Sequence, residues 1–365
     1  MSRLPAEPVR ANYRAVTLYD RVAELPLAVD SYALDGLEKE VVPEFILRRT
    51  VVRLRGDGHE GVGEDVTYDG DDQLGLRQSG ASLPIAGRFT LAVFAERLAS
   101  VDLFPAGPSR EEFRNYRRWA FESAALDLAL RQAGRSLGDA VGREPRPVTF
   151  VVSLRLGEPP STAPLRRRLQ LYPWLRFKLD ATSSWDDRLV DEIASLGVVE
   201  SIDLKGAYSG TPVDQPPDPK LYERVVRAFP DAWIEDPALT PETEPVLMAA
   251  RDRITWDAPI HSVADIEALP FPPRTVNVKP SRFGSVEALL DAYGYCEAHG
   301  IGAYGGGQFE LGPGRGQIQY LASLFHADAP NDVAPSGYNE AEPISGLPAS
   351  PLPPRLEPIG FRWAG

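Results

Sequence analysis

The chain has 365 residues, 43% hydrophobic and 25% charged, which is a globular composition with room for one large domain and a smaller partner. Its 39 Lys+Arg against 52 Asp+Glu leave a net charge of −13, and that balance argues against nucleic acid or an anionic membrane as a partner, since both call for a basic face. The opening MSRLPAEPVRANYRAVTLYD lacks the apolar core of a secretory leader, no stretch approaches a membrane span, and the single cysteine, Cys296, excludes an internal disulfide, so a cytoplasmic setting is expected.

Residues 1–145 read as α+β. Ile46 to Leu54 alternate as a strand, turn at Gly56-Asp57-Gly58 and return as a hairpin. WAFESAALDLALRQAGRSLGDAVG is an amphipathic helix ending near Gly134, with a second short helix behind it. From Pro147 strands and helices alternate. TFVVSL and LRFKLDA are strands; SSWDDRLVDEIASLG is a helix with a serine cap and Gly197 at its end. VESIDL, AWIED, ITWDA, TVNVKP, IGAY and NDVAP are further strands, and between them LYERVVRAF, TPETEPVLMAARD, SVADIEAL, SVEALLDAYGYCEAHG and RGQIQYLASLF are helices. TPETEPVLMAARD is expected to open at a threonine cap with Pro241 behind it, and Ser262 to cap SVADIEAL with Asp265 in capping-box spacing. Eight short apolar strands interleaved with helices predict an α/β protein, and specifically a closed (β/α)8 barrel over residues 146–340. GAYSGTPVDQPPDPK and ISGLPASPLPP are proline-rich and read as irregular or lid-like.

In such a barrel the chemistry lies at the C-terminal strand ends. Asp203, Glu235 and Asp257 end three successive strands. Each alone could cap the helix that follows it; three at one mouth repel unless a cation sits among them, and an all-oxygen set suits Mg2+. Only five of the 39 basic residues are lysines, and Lys178, Lys205 and Lys279 sit on the same rim. Lys178 and Asp180 share the inward face of their strand, and Lys279 lies across the ring, so a substrate would be flanked from two sides. A lysine beside a dication is a plausible base, because nearby positive charge lowers its pKa. His261, just past Asp257, is expected to be a surface or capping residue, and Cys296 a packing residue.

AFESAALDLALRQAGRSLGDAVG, FKLDA, SIDLKG, WIEDP, ITWDAPI and NVKPSRFGSVEALLDAYGYCEAHGIGAYGGGQFELGPGR together resemble the enolase superfamily, closest to its muconate-lactonizing-enzyme-like subgroup, over nearly the whole chain. The resemblance implies an N-terminal α+β capping domain (1–145) over a modified TIM barrel (146–340), with residues 341–365 packing back on the cap. It implies ELPLAVDSY as a lid loop that carries Tyr32 to the substrate. It implies Asp203, Glu235 and Asp257 as ligands of one Mg2+ and Lys279 as the acid/base on the sixth strand. The reaction implied is loss of the α-proton of a small-molecule carboxylate to a metal-stabilised enediolate, ending in epimerisation, elimination of water or cycloisomerisation, with a homo-oligomer as a possible state. No His-Asp dyad appears at the sixth and seventh strands, so the mandelate-racemase-like subgroup fits less well.

Two positions depart from the subgroup. Asp180 stands where it carries a second-strand lysine base, and Lys205 where it carries a third-strand asparagine. Lys178, Asp180, Lys205 and Lys279 are therefore the candidate catalytic set, with Lys279 the expected principal base in a one-base reaction. Lys205 is expected to pair with Asp203 or Asp180. Gln308 and Glu310, in the glycine-rich GGGQFELGPGRG after the seventh strand, are candidate substrate contacts. The departures also admit a lapsed metal- or acid-binding scaffold, or an aldolase forming a Schiff base on Lys178 or Lys279.

Overall fold

The computed structural model describes residues 16–42, 45–208 and 214–363. The N-terminal part runs α1 (Asp20–Ala23), β1 (Pro26–Val29), β2 (Ser31–Val42), β3 (Phe45–Gly56), β4 (His59–Asp65), α2 (Gly70–Ser79), β5 (Gly87–Thr90), α3 (Leu91–Ala99), α4 (Phe113–Gln132) and α5 (Leu137–Val141). β2, β3 and β4 form an antiparallel sheet, and β1 pairs with β5. α4 lies flat on β4 because two glycines alternate on that face. A Cβ on Gly61 would stand 2.2 Å from the Ala124 carbonyl, and one on Gly63 2.0 Å from that of Ala120.

The second part alternates β6 (Val152–Leu154), α6 (Ala163–Leu171), β7 (Phe177–Asp180), α7 (Asp187–Ser195), β8 (Val199–Asp203), α8 (Pro219–Ala228), β9 (Trp233–Glu235), α9 (Glu244–Met248), β10 (Ile254–Thr255), α10 (Val263–Glu267), β11 (Thr275–Val278), α11 (Pro280–Phe283), α12 (Val286–His299), β12 (Gly302–Gly305) and α13 (Pro313–Phe325). β6 to β10 form one parallel sheet and β11–β12 a parallel pair. Single backbone bonds carry the contact round the rest of the ring. The Asn277 N–H donates to Trp256 O at 2.9 Å, Asp332 N–H to Gly305 O at 2.8 Å, and Val151 N–H to Asn331 O at 2.8 Å. Asn331–Val333 thus stand as the eighth segment between β12 and β6, where the sequence predicts the last strand.

Period-two alternation decides which side chains enter the ring. Phe177, Leu179, Ile202 and Ile234 are buried in the hydrophobic core, while Lys178, Asp180, Asp203 and Glu235 alternate with them. The register places Asp180 opposite Asp203 and Asp203 opposite Glu235, so the acids come level at one end.

Several expectations change. ELPLAVDSY is not a lid loop: it forms β1 and the start of β2, and Leu25, Leu27, Val29 and Tyr32 are core residues. α7 is capped by Asp186, whose carboxylate accepts from Leu189 N–H at 2.8 Å, not by a serine. α9 starts only at Glu244 with Thr243 as N-cap, three residues later than the threonine-proline pair predicts. Ser262 does cap α10, accepting from Asp265 N–H. Of the loop GAYSGTPVDQPPDPK, residues 209–213 lie outside the described residues.

The C-terminal segment runs back along α4. The buried Asp127 accepts from Phe361 N–H at 2.8 Å and from Arg362 Nε at 2.6 Å, while also holding Val62 N–H at 3.0 Å and Arg131 Nε at 2.9 Å. No helix among the described residues is long and apolar enough to cross a membrane.

Candidate active site

The strand ends gather acids and bases in alternation. Asp203, Glu235 and Asp236 are fully buried, and one carboxylate oxygen from each lies within 4.8 Å of the others. Lys178 Nζ sits between Glu235 and Asp203, in a close ion pair with the first and 3.4 Å from the second. Lys205 Nζ is 2.5 Å from Asp203 Oδ2 and 3.5 Å from Asp180 Oδ1. Asp180 also holds the rim residue Arg155 at 3.0 Å. Across the ring Lys279 Nζ donates to Asp257 Oδ2 at 2.7 Å. Gly306 leaves room for that side chain, since a Cβ there would stand 2.7 Å from Lys279 Cε.

Asp257, the third acid of the expected metal set, ends its strand beside this group and is paired with cations. Its Oδ2 is taken by Lys279, by Arg282 at 3.4 Å and by the Tyr208 hydroxyl at 2.9 Å, and it is not in the converging group. Asp236 stands there instead. Its backbone is left-handed at φ 48°, and its two carboxylate oxygens accept from Asp257 N–H at 2.8 Å and Ala258 N–H at 2.9 Å.

The electrostatics divide the acids. Burial, opposed by Lys178 and reinforced by Asp203 and Asp257, pushes Glu235 up to about 8. Burial and the neighbouring Asp257 and Asp203 push Asp236 up to about 7. Burial also disfavours charge on Asp203 and Asp257, but Lys205 and Lys178 hold the first, and Arg282 and Lys279 the second, well below the usual carboxylate range. Burial alone would lower Lys178 and Lys205; their carboxylate partners more than offset it, and both ammonium groups are held above the ordinary lysine value. The protein's own cations thus do not suffice to favour the ionised forms of Glu235 and Asp236. Asp257 Oδ1 is buried with no hydrogen-bond partner. A hard divalent cation fits such an all-oxygen donor set.

The remaining candidates are placed as follows. The Tyr32 hydroxyl donates to Gly80 O at 3.1 Å and accepts from Leu83 N–H at 2.9 Å, with its ring edge-on to Phe121, so it serves the cap's interior rather than a substrate. The Gln308 amide is held by Tyr68 OH at 2.8 Å and Tyr116 OH at 3.2 Å, both from the cap. Glu310 Oε1 accepts from Gln308 N–H at 2.7 Å, and Arg315 lies 3.4 Å from Oε2. His261 is a rim residue whose backbone N–H donates to Asp265 at 3.0 Å. Cys296 is buried in α12, and burial pushes its thiol up to about 11, which fits a packing role.

Sequence reasoning missed Tyr304, whose hydroxyl donates to Glu235 in a close contact, and Asn277, at 3.4 Å from the same carboxylate. They face each other in the β11–β12 register, so period two on those strands was the available signal. It also missed Arg282, three residues beyond Lys279 in NVKPSRFG. Two cap residues anchor the loop after β12. The buried Arg49 donates to Gln308 O at 2.6 Å and Phe309 O at 3.2 Å. Glu64 accepts from the N–H groups of Leu311 at 2.6 Å, Gly312 at 2.9 Å and Gly314 at 3.0 Å, at the start of α13.

An α+β cap over a ring of parallel strands is a fold this chain shares with a solved structure of the enolase superfamily. A solved structure described as a member of that superfamily from Listeria innocua matches with a TM-score of 0.61 at 20% identity, covering 87% of this chain and 88% of its own. Two curated relatives are named N-succinylamino acid racemase: one from Thermus thermophilus, 26% identical over 86% of this chain and 84% of its own length, and one from Amycolatopsis sp, 29% identical over 87% and 85%. The chain shares its fold with that solved member of the superfamily. It belongs to the family described as Domain of unknown function (DUF8230), whose N-terminal domain matches residues 20–140 and C-terminal domain residues 144–340.

Proposed function

We propose that this protein moves the proton on the carbon next to a carboxylate in a small-molecule substrate, with Mg2+ held by Asp203, Glu235 and Asp236. The observation that carries the reading is the convergence of these three buried carboxylates between two lysines on opposite strands, Lys178 on β7 and Lys279 just beyond β11. When bound, the cation would offset the negative charge that gathers on the substrate carboxylate as the proton leaves.

Lys279 is the group that takes and returns the proton. It is buried at the end of its strand, and Asp257 and the space left by Gly306 orient it toward the centre of the ring. Lys178 faces it and supplies fixed positive charge beside Glu235. Asp180, tied to Arg155 and close to Lys205, is not a second base of equal standing. Cap residues Tyr68, Tyr116 and Arg49 hold the loop after β12 over the ring, which keeps water from the exchanging proton.

The names of the curated relatives make N-succinyl amino acids the first substrates to try. Each enantiomer is incubated with protein and Mg2+ in D2O, and the α-proton signal is followed by NMR. Exchange is expected in the wild type with one enantiomer, none in Lys279→Ala, and measurable exchange with that enantiomer in Asp180→Asn. If Asp180→Asn is as inactive as Lys279→Ala toward that enantiomer, Asp180 is a base in its own right and the single-base reading fails.

A further inference from the structure

Lys205 is built to lie on Asp203. Its backbone is left-handed at φ 54°, a conformation uncommon for a residue with a side chain, and it folds the lysine back onto its own strand. The Lys205 N–H donates to Asp203 Oδ1 at 3.0 Å and its Nζ to Asp203 Oδ2 at 2.5 Å, so one residue covers both oxygens of a carboxylate in the converging group. The Tyr208 ring lies 4.8 Å from the same ammonium.

Lys205 also has somewhere else to go. Asp180 Oδ1 is 3.5 Å from Nζ and is buried without a hydrogen-bond partner, while Arg155 occupies the other oxygen, Oδ2. Lys178 differs in this respect. Both of its ion-pair partners among the described residues, Glu235 and Asp203, belong to the converging group. Of the two lysines on Asp203, Lys205 is the one with a carboxylate within reach that lies outside that group among the described residues.

We infer that Lys205 is a displaceable occupant of the cation site: its ammonium rests on Asp203 and transfers to Asp180 Oδ1 when a divalent cation takes Asp203. The inference depends on the metal reading proposed above. The physical reason is competition. An ammonium and a dication cannot share one carboxylate oxygen without strong repulsion, and a buried ammonium left without a partner is costly. Asp180 removes that cost by receiving the ammonium, and Arg155 keeps its free oxygen turned toward Lys205. On this account Asp180 and Lys205 are positioning residues that set how readily the site loads.

The test measures Mg2+ affinity of the full chain by isothermal titration calorimetry, with Mn2+ counted by electron paramagnetic resonance as a second probe. Removing the competitor in Lys205→Met is expected to tighten Mg2+ by about tenfold or more. Asp180→Asn is expected to weaken Mg2+ about tenfold with Lys205 present, and to have little effect in the Lys205→Met background. Lys205→Asn serves as a second variant should the methionine protein fail to fold. If Lys205→Met and Lys205→Asn leave affinity unchanged or weaker, or if Asp180→Asn costs the same in both backgrounds, the displacement is wrong while the metal reading stands. If neither the wild type nor the Lys205 variants bind either ion, both readings fall. If only the Lys205 variants bind, Lys205 is a permanent occupant and the transfer to Asp180 is overturned.

Discussion

At the scale of single residues, Lys178 carries the most conditional role. It is the close partner of Glu235 and lies 3.4 Å from Asp203, and all three side chains are almost wholly buried. Removing one partner of such a group leaves uncompensated buried charge, at a cost of about 3–5 kcal/mol. Lys178→Met is therefore expected to lower stability in urea by about that amount without divalent ions, and Mg2+ should recover much of the loss by supplying the missing charge. A variant destabilised equally with and without Mg2+ would show that the lysine and the ion do not serve the same carboxylates. The acids and lysines were legible at this scale because strand ends could be counted, and each is one letter at a fixed offset. The approach of Asp236 to Asp203 and Glu235 was not. It depends on a left-handed backbone at Asp236, while Asp257 is held by Arg282 and Tyr208, which reach it from elsewhere in the chain.

At the scale of elements, the alternation of strands and helices was legible because apolar β-branched runs and capping residues are local signals. β2 was not, because its Ser31–Val42 run mixes acids and apolar residues, and its order comes from pairing with β3. The closing segment after α13 is fixed by a polar cluster rather than a ladder. Asn331 Nδ2 donates to Thr149 O at 3.0 Å, to His326 O at 2.9 Å and to Ala329 O at 2.8 Å, leaving its Oδ1 to accept from Gly305 N–H and from His326 Nδ1. His326 Nε2 then accepts from Tyr293 OH at 3.0 Å, which fixes a neutral tautomer. Burial depresses this histidine from 6.5 to about 4. The folded state therefore binds fewer protons than the unfolded state between those values. Its contribution is present above pH 6.5 and is lost as pH falls toward 4. The whole effect is on the order of 3 kcal/mol. His326→Phe should be less stable at neutral pH but should show a shallower loss on acidification, read from urea midpoints at several pH values. Equal slopes in the two proteins would rule out this histidine as the source.

At the scale of the whole molecule, cap and barrel share the loop after β12. Arg49 and Glu64 from the cap sheet hold its backbone, and Tyr68 and Tyr116 hold its one amide side chain. Arg49→Met should leave both domains folded while raising amide hydrogen exchange over residues 308–314, because the two carbonyls it binds lose a charged donor. Unchanged protection there would mean that the loop orders itself. Saturating Mg2+ should raise the stability of the intact chain by about 2.7 kcal/mol at a hundred times its Kd, seen as an upward shift of the melting midpoint, and EDTA should reverse it. The return of the C-terminal segment to Asp127 adds a constraint of another kind, on the order of events during synthesis. α4 leaves the ribosome early, yet this buried carboxylate finds two of its four partners only when Phe361 and Arg362 follow. The cap is thus made before the barrel and finished after it. A nascent chain stalled anywhere in the barrel would carry an N-terminal domain with a half-satisfied charge in its interior, recognisable to proteases and chaperones as incomplete.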